Sequence, residues 1–411
     1  MNHPHSPLPP RPIYLDYLAT TPVDPRVADT CAPYLRAVFG NPGSRHTFGR
    51  EAAQAVADAR AAVAELIGCT PGEIVFTGGG SEADTLAIRG AALARGPRGG
   101  HLITQATEHP AVLAACAALA RLHDYRITQL PVDQYGQVNP ADLAAAITGD
   151  TVLVSIMHGN NETGTLQPIR ELAGIAHRHG ALFHSDAAQT AGKIPLSVSE
   201  LGVDLLTVVG HKLYAPKGVG ALYVAGGVDL EPAIYGGGQE SGRRGGTENV
   251  ALIAALGHAA RLATDDIGTE PARLRALRDL LHGQLSRHLP GAVRLNGHPE
   301  QRIPNALNIS IDGARGPDLL AAAPGIAAST GSACHEGTDA PSPVLTAMGL
   351  PTERAMSAIR LSVGRWTTEH DIHAAAAAIA DIVAPARAPA ARTGGLDQVS
   401  TRPARTGSAR P

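Results

Sequence analysis

The sequence predicts an α/β protein built on a mainly parallel sheet. Short apolar runs, typical of buried strands, alternate along the chain with alanine-rich stretches, typical of helices. This alternation favours parallel strands whose connecting helices cover both faces of the sheet. A chain of 411 residues is long enough for two domains and a large buried core.

Six apolar runs supply the predicted strands in chain order. Each run is rich in aliphatic residues and is followed by glycines or polar residues that end it. Alanine-rich segments lie between most of the runs and supply the helices. The runs are EIVFT (73–77), HLITQ (101–105), TVLVSIM (151–157), ALFHS (181–185), LLTVV (205–209) and GALYV (220–224).

The pattern changes after about residue 260. A long helix rich in arginine and leucine is predicted near 270–288, then the strand ALNISI, then helices near 317–323 and 369–384, which indicates a smaller α+β domain. The C-terminal residues are rich in proline, alanine, glycine and arginine and lack periodicity, which predicts disorder. We therefore place a large domain at 13–260, whose N-terminal segment packs on the small domain, a small domain at 261–384 and a disordered tail at 385–411.

The composition excludes several classes of protein. A formal net charge of −3 and a pI near 6.6 give no electrostatic reason to expect nucleic acid or an anionic membrane as a partner. The N-terminal MNHPHSPLPPRP lacks an apolar segment, and no window reaches about 18 uninterrupted apolar residues. We therefore expect neither export nor membrane insertion.

The cysteines and histidines predict no metal site. The chain has four scattered cysteines, Cys31, Cys69, Cys116 and Cys334. They form no CxxC pair, which argues against a disulfide framework or a zinc site and favours a reducing cytoplasm. His177 and His179 lie two residues apart on a predicted helix, so they point to different faces and do not form a metal site.

Lysine is rare in this chain. Lys193, Lys212 and Lys217 are its only lysines, among 34 lysines and arginines together. Unlike arginine, lysine can lose its proton and become a nucleophile. Lys212, in the segment TVVGHKLYAP, therefore raises the possibility of Schiff-base chemistry.

A glycine-rich segment, TGGGSEAD, follows the predicted strand 73–77 and leads into a helix. Gly80 and Ser81 lie where the backbone amides and the positive end of the helix dipole favour a phosphate group. Gly78, Gly80 and Ala83 also match the dinucleotide fingerprint, but no acidic residue follows at about 20 positions to hold a ribose. A dinucleotide site and a plain structural turn remain the alternatives to a phosphate cradle.

Polar side chains follow five consecutive predicted strands at their carboxyl ends, where open α/β sheets bind ligands. Besides the glycine-rich segment, these are His109, the amides of Asn160 and Asn161, Asp186 with Gln189 after it, and Lys212. Pyridoxal phosphate needs such a set: a lysine for its aldehyde, an acid for its ring nitrogen and a cradle for its phosphate. The sequence therefore predicts this cofactor.

The chain also resembles the cysteine desulfurases, class V pyridoxal-phosphate enzymes of fold type I, from about residue 13 to 380. The resemblance implies a fold type I α/β transferase, a homodimer, and removal of sulfur from L-cysteine to give L-alanine. The motifs that carry it are YLDYLATTPVDPRV, FGNPGSRH, EIVFTGGGSEAD, TEHPAVL, SIMHGNNETGTLQPI, LFHSDAAQTAGKIPL, GHKLYAPKGVGALYV, GGGQESGRRGGTENV, STGSACHEG and IRLSVGRWTTEHDI.

The resemblance implies a role for each residue that holds the cofactor ring. Lys212 would form the Schiff base and take the Cα proton of cysteine, and Asp186 would pair with the pyridinium nitrogen. Gln189 would hydrogen-bond the ring O3′, while His109 would stack on the ring and handle protons. Asn161 would lie near both the cofactor and the substrate.

It also implies the phosphate and substrate ligands. Gly80, Ser81 and His211 would bind the phosphate, and Thr247 would reach it from the partner subunit. Arg360 would bind the substrate carboxylate with its two-pronged guanidinium. The Cys334 thiolate would attack the substrate sulfur and become a persulfide, whose sulfur then passes to an acceptor such as an iron–sulfur scaffold or a thiolation enzyme.

The sequence departs from the family pattern at a few positions. Val209 stands where the family has a serine that donates to the phosphate, Ser81 replaces a threonine, and His335 follows Cys334. Two other functions stay open at this point. One is another class V reaction such as selenocysteine lyase, and the other is a weakly active relative that serves as a sulfur relay or scaffold.

Overall fold

The structure, a computed structural model, describes residues 12–95, 99–331 and 340–387. Its strands fall into one large sheet, one small sheet and one two-stranded pair. In chain order they are β1 (Ile13–Tyr14), β2 (Ile74–Thr77), β3 (His101–Gln105), β4 (Arg126–Leu130), β5 (Thr151–Ser155), β6 (Leu182–Asp186), β7 (Leu205–Val209), β8 (Gly220–Val224), β9 (Val293–Asn296), β10 (Ala306–Ile311), β11 (Ile326–Ala327) and β12 (Ala358–Ser362).

The large sheet confirms the predicted architecture. It has seven strands in the order β2-β8-β7-β6-β5-β3-β4. The five strands from β7 to β4 run parallel to one another, and β8 is antiparallel to both of its neighbours. All six predicted runs are strands, whereas β4, one of the two edge strands, was not predicted.

Helices connect these strands and cover both faces of the sheet. The longest in the described residues are α2, with 21 residues, and α9 and α13, with 19 each. The α-helices are α1 (Pro25–Arg36), α2 (Thr47–Ile67), α3 (Gly80–Arg95), α4 (Pro110–His123), α5 (Pro140–Ala146), α6 (Ile169–Arg178), α7 (Val198–Leu201), α8 (Val250–Asp266), α9 (Glu270–His288), α10 (Gly316–Ala322), α11 (Pro343–Ala347), α12 (Thr352–Met356) and α13 (Glu369–Arg387).

Small residues let these helices pack closely. A Cβ atom at Gly257 of α8 would lie 2.4 Å from the Cα atom of Ala59 on α2, so only glycine fits at this crossing. On the opposite face of the sheet, α3 buries Ala83, Leu86 and Ala87 against the strands. The small side chains of the alanine-rich helices therefore allow these helices to pack closely on the sheet.

A second core lies on the small sheet, in which β10 pairs antiparallel with β9 and with β12. Helices α9 and α13 cover it, with Leu281, Ile309 and Ile372 fully buried. Leu15, next to β1, belongs to the same core. In the described residues no helix combines the length and the apolar content needed to cross a membrane.

The domain limits remain a proposal. The boundary between 260 and 261 falls inside α8, which runs continuously from Val250 to Asp266. Helix α13 ends at Arg387, so residues 385–387 are helical although the sequence analysis assigned them to the tail. Ala386 and Arg387 favour helix whereas Pro385 does not, so helix propensity alone does not account for this extension. The rest of the tail, 388–411, lies outside the described residues.

Candidate active site

A cavity of about 300 Å³ lies at the carboxyl ends of the parallel strands. This volume is at the lower end of the range of small-molecule and cofactor sites. The structure brings together there most of the site residues predicted from the sequence. Those that line the cavity are Gly80, Ser81, His109, Asn161, Asp186, Gln189, His211, Lys212 and Arg360.

Lys212 enters the cavity from the turn that follows β7. Its Nζ atom donates hydrogen bonds to the carbonyl oxygens of Leu18, at 2.5 Å, and Ala19, at 2.7 Å. These two residues come from the N-terminal segment, 194 and 193 positions away. The carbonyls fix the position of the amine at the cavity wall, and the sequence analysis assigned them no role.

Asp186 ends β6, and its side chain is buried in the cavity. Its Oδ1 atom accepts a hydrogen bond from the backbone N–H of Ala188 at 2.8 Å. Burial raises the pKa of Asp186, while that hydrogen bond and the nearby His109 and Lys212 oppose the shift. A cationic partner in the cavity would therefore favour the ionised carboxylate.

His109 caps the N-terminus of α4, as its position before Pro110 predicts. Its Nδ1 atom accepts a hydrogen bond from the N–H of Ala111 at 3.2 Å, so the neutral ring carries its proton on Nε2. Burial lowers the pKa of His109, which favours this neutral form. The imidazole can thus take a further proton only by giving up the capping hydrogen bond.

The start of α3, where the sequence predicts a cradle for an anion, lies at the cavity. Gly80 and Ser81 begin this 16-residue helix and line the cavity. A Cβ atom at Gly80 would lie 2.7 Å from Cγ2 of Val209, so the valine side chain packs directly on the glycine. The ring of His211 lies nearby, and burial and the neighbouring lysines lower its pKa to about 4.

A hydrogen-bonded chain joins Gln189 to the N-terminal segment. Its Nε2 atom donates to the carbonyl oxygen of Leu18 at 3.1 Å, and its Oε1 atom accepts from Nζ of Lys193 at 3.3 Å. Lys193 is fully buried, which lowers its pKa to about 7. Lys193 therefore fixes which way the Gln189 amide points, a role that the sequence analysis missed.

Arg360 is the middle residue of β12, and it is 1% exposed. Its Nη1 atom donates to the carbonyl oxygen of Asn161 at 2.9 Å, and its Nη2 atom donates to Oδ1 of Asp16 at 2.7 Å. Its Nε atom is buried and has no hydrogen-bond partner among the described residues. The guanidinium therefore lies at the cavity, and not all of its N–H donors are used by these two acceptors.

Comparisons with known proteins identify the family of the chain. Residues 13–374 match the family model "Aminotransferase class-V". The chain is 46% identical over 365 residues to the cysteine desulfurase IscS of Dictyoglomus turgidum, which covers 88% of this chain and 92% of the relative. It is 47% identical over 378 residues to cysteine desulfurase 1 of Trichormus variabilis, covering 92% and 94%. The chain belongs to the cysteine desulfurases of this family.

Solved structures of the family have the same fold. A NifS-like protein matches with a TM-score of 0.84 and 34% identity, over 91% of this chain and 99% of that one. The structure of SspA in complex with cysteine matches with a TM-score of 0.76 and 34% identity, over 86% and 99%. The resemblance indicated by the sequence motifs is therefore confirmed.

Among the described residues, Thr247 and Asn160 were predicted for the site but do not line the cavity. Thr247 is exposed on the surface of its loop. That loop is tied to the glycine-rich segment, because Nε of Arg244 donates to Oε1 of Glu82 at 2.9 Å and Oε2 of Glu82 accepts from the N–H of Gly78 at 2.8 Å. Cys334 and His335 lie outside the described residues.

The residues on either side of the Cys334 segment lie beside the cavity residues. The backbone N–H of Arg360 donates to the carbonyl oxygen of Ser329 at 2.6 Å. After the segment, Oγ of Ser342 donates to Oε2 of Glu162 at 2.5 Å. Glu162 directly follows Asn161, so the chain enters and leaves the segment close to the site.

The three described cysteines are poor nucleophiles. Burial is the main cause that raises the pKa of Cys69 and of Cys116 to about 12, and it also raises the pKa of Cys31. The reactive species of cysteine is the thiolate, so these groups are inert near neutral pH. Their interpretation from the sequence as structural residues fits this burial. No group of metal ligands occurs in the described part of the chain.

Proposed function

We propose that the protein is a pyridoxal-phosphate-dependent L-cysteine desulfurase. One observation carries the proposal: a single cavity joins the Lys212 amine, the Asp186 carboxylate and the N-terminus of α3. These are the three groups that the cofactor's aldehyde, ring nitrogen and phosphate require. The names of the relatives support the choice of L-cysteine as substrate.

The residues of the cavity fit this cofactor. Gly80 and Ser81 at the start of α3 line the cavity together with His211, and the Val209 side chain fills the space that a Cβ atom at Gly80 would occupy. The Asp186 carboxylate is buried, and among the described residues no ion-pair partner lies within 4 Å of it. Such a carboxylate suits a cationic ring nitrogen. When bound, pyridoxal phosphate supplies an aldehyde that condenses with amines and a ring that withdraws electrons from the substrate's Cα.

The residues around the ring bind it and move protons. Lys212 would hold the cofactor covalently and, once released by substrate, its neutral Nζ would accept the Cα proton. Asp186 would keep the ring nitrogen protonated, and Gln189 would donate to O3′ from its fixed amide. His109, which stacks on the ring in this proposal, would donate a hydrogen bond through Nε2 and could take a further proton on Nδ1 by giving up its capping hydrogen bond.

Arg360 and Asn161 would hold the substrate. The guanidinium is rigidly placed, and a planar fork suits a carboxylate. The position of Arg360 next to Ser329, just before the Cys334 segment, supports a site where substrate and thiol meet.

The sulfur transfer is assigned to Cys334. Its thiolate would attack the substrate's sulfur, the Cβ–S bond would break, and a proton would replace sulfur on Cβ. One L-cysteine and one thiol thus give one L-alanine and one persulfide, which balances atoms and electrons. The persulfide would then pass its sulfur to a protein acceptor in the cytoplasm, such as an iron–sulfur scaffold or a thiolation enzyme.

We also propose a homodimer in which Thr247 completes the partner's phosphate site. Its exposure and the tie between its loop and Glu82 support this arrangement. A residue that completes a neighbouring site must lie at the surface of its own subunit.

The test is alanine formation from L-cysteine by the purified protein loaded with pyridoxal phosphate. Wild type should form alanine and be yellow, and Lys212→Ala should lose both properties. Lys217→Ala is the matched control, because Lys217 is exposed and lies five positions further along the chain outside the cavity lining. A colourless wild type that cannot be loaded, or a Lys212→Ala variant as active as Lys217→Ala, would overturn the proposal.

A further inference from the structure

Asp16 is a carboxylate of the N-terminal segment that no function above requires. Its Oδ1 atom accepts the hydrogen bond from Nη2 of Arg360 at 2.7 Å and another from Oγ of Ser329 at 3.3 Å. Its backbone forms a bridge with Ser362, two residues beyond Arg360 on β12. Asp16 is therefore tied both to the guanidinium and to the strand that carries it.

The surroundings of Arg360 explain why this contact matters. The side chain is 1% exposed, so its charge depends on protein acceptors rather than on water. Asp16 supplies a carboxylate at 2.7 Å and Asn161 a carbonyl at 2.9 Å, on two different nitrogen atoms of the guanidinium. Two fixed acceptors hold a planar group in one orientation.

We infer that Asp16 is a positioning residue for recognition of the substrate's α-carboxylate. It holds the Arg360 guanidinium so that the unused N–H donors, including Nε, remain available to a carboxylate ligand. This inference rests on the proposed role of Arg360. It adds that Arg360 alone is insufficient to recognise the carboxylate, because the orientation of its guanidinium depends on a residue 344 positions away.

The inference predicts a loss confined to ligands that carry a carboxylate. Without Asp16, Nη2 loses its acceptor and the side chain gains rotational freedom. Binding of an amino acid should then weaken about 10- to 100-fold, the effect typical of one hydrogen bond to a charged group. An amine that differs from the amino acid only in lacking the carboxylate should bind as it does to wild type.

The experiment compares L-alanine with ethylamine on the cofactor-loaded protein. Neither ligand contains sulfur, so neither is turned over by desulfuration, and dissociation constants come from the absorbance change of the cofactor. Wild type should prefer L-alanine. Arg360→Ala and Asp16→Ala should both lose most of that preference, and ethylamine binding should change less than about threefold.

Two further variants separate positioning from damage to the fold. Asp16→Asn keeps an acceptor oxygen but not the charge, so its preference should lie between those of Asp16→Ala and wild type. Asp24→Asn is the matched control, because Asp24 lies on the same segment, is 2% exposed and pairs with Nη1 of Arg365 at 2.6 Å outside the cavity lining. It should keep the wild-type preference.

The outcomes distinguish the inference from the proposed function. If Arg360→Ala abolishes the preference while Asp16→Ala and Asp16→Asn both keep it, Asp16 does not position the arginine and the inference is overturned. If wild type shows no preference, the assigned role of Arg360 is wrong and the inference fails with it. Equal losses in Asp16→Asn and Asp24→Asn would also overturn it, because charge removal anywhere on the segment would then suffice.

Discussion

Val209→Thr should strengthen cofactor binding, and the structure allows the size of the effect to be worked out. Val209 is the last residue of β7, is 5% exposed, and places Cγ2 against Gly80 at the start of α3. Threonine has the same shape as valine but puts a hydroxyl in place of one methyl. The change thus offers a donor beside the proposed phosphate site without altering the packing volume.

Two opposing contributions decide the result. In the protein without cofactor, a buried hydroxyl lacking a partner costs about 1–3 kcal/mol. With the phosphate present, the hydroxyl donates to a charged acceptor, and such a bond contributes about 1.5–3 kcal/mol. The variant should therefore be less stable than wild type when empty and bind pyridoxal phosphate at least about 10-fold more tightly.

The assay is a titration of the empty protein with pyridoxal phosphate, together with urea unfolding of the empty protein. Val208→Thr is the control, since Val208 is a fully buried neighbour on β7 that belongs to the core and not to the cavity lining. It should lower stability without changing cofactor affinity. Unchanged or weaker cofactor binding by Val209→Thr would mean that the phosphate does not lie within hydrogen-bonding distance of residue 209.

Three further predictions follow from the structure and the proposed function. Asp186→Ala should reduce alanine formation far more than removal of the exposed Asp29 carboxylate, because the ring nitrogen loses its buried partner. His184 is a fully buried residue of β6 outside the cavity lining. Burial lowers its pKa to about 3, so the stability that its neutral form provides is lost as pH falls from about 6.5 towards 3, and urea unfolding of His184→Gln should depend less on pH in that range. Gel filtration should show a dimer, and Thr247→Ala should weaken cofactor binding. A fully active monomer would contradict a phosphate site shared between subunits.

The large sheet could be predicted because of its chemistry. Strands such as β5 and β7 are buried on both faces, so they appear in the sequence as uninterrupted apolar runs. The missed strand β4 has the sequence RITQL and lies at the sheet edge with two of its five residues exposed. Its polar residues conceal the pattern that identified the others.

The site was predictable where side chains carry the chemistry. Lys212, Asp186 and His109 follow strands, so the rule that ligands bind at the carboxyl ends of parallel strands placed them together. The carbonyls of Leu18 and Ala19 were not predictable, because every residue has a carbonyl and the contact joins positions 194 and 193 residues apart.

The pairing of Asp16 with Arg360 was beyond sequence reasoning for a related reason. It depends on how the N-terminal segment lies against β12, 344 residues further along the chain. A single carboxylate in a motif gives no indication of its partner at that separation. The buried Lys193 is similar, since its function depends on which way the Gln189 amide points.

The most direct test of the central claim is mass spectrometry of the cofactor-loaded protein after exposure to L-cysteine. The account predicts the added mass of one sulfur atom on the peptide that contains Cys334, and Cys334→Ser should bind cysteine yet form almost no alanine from it. The three described cysteines should carry none, because burial raises the pKa of each. Added sulfur found only on those cysteines, or alanine formed by Cys334→Ser at the wild-type rate, would contradict the account.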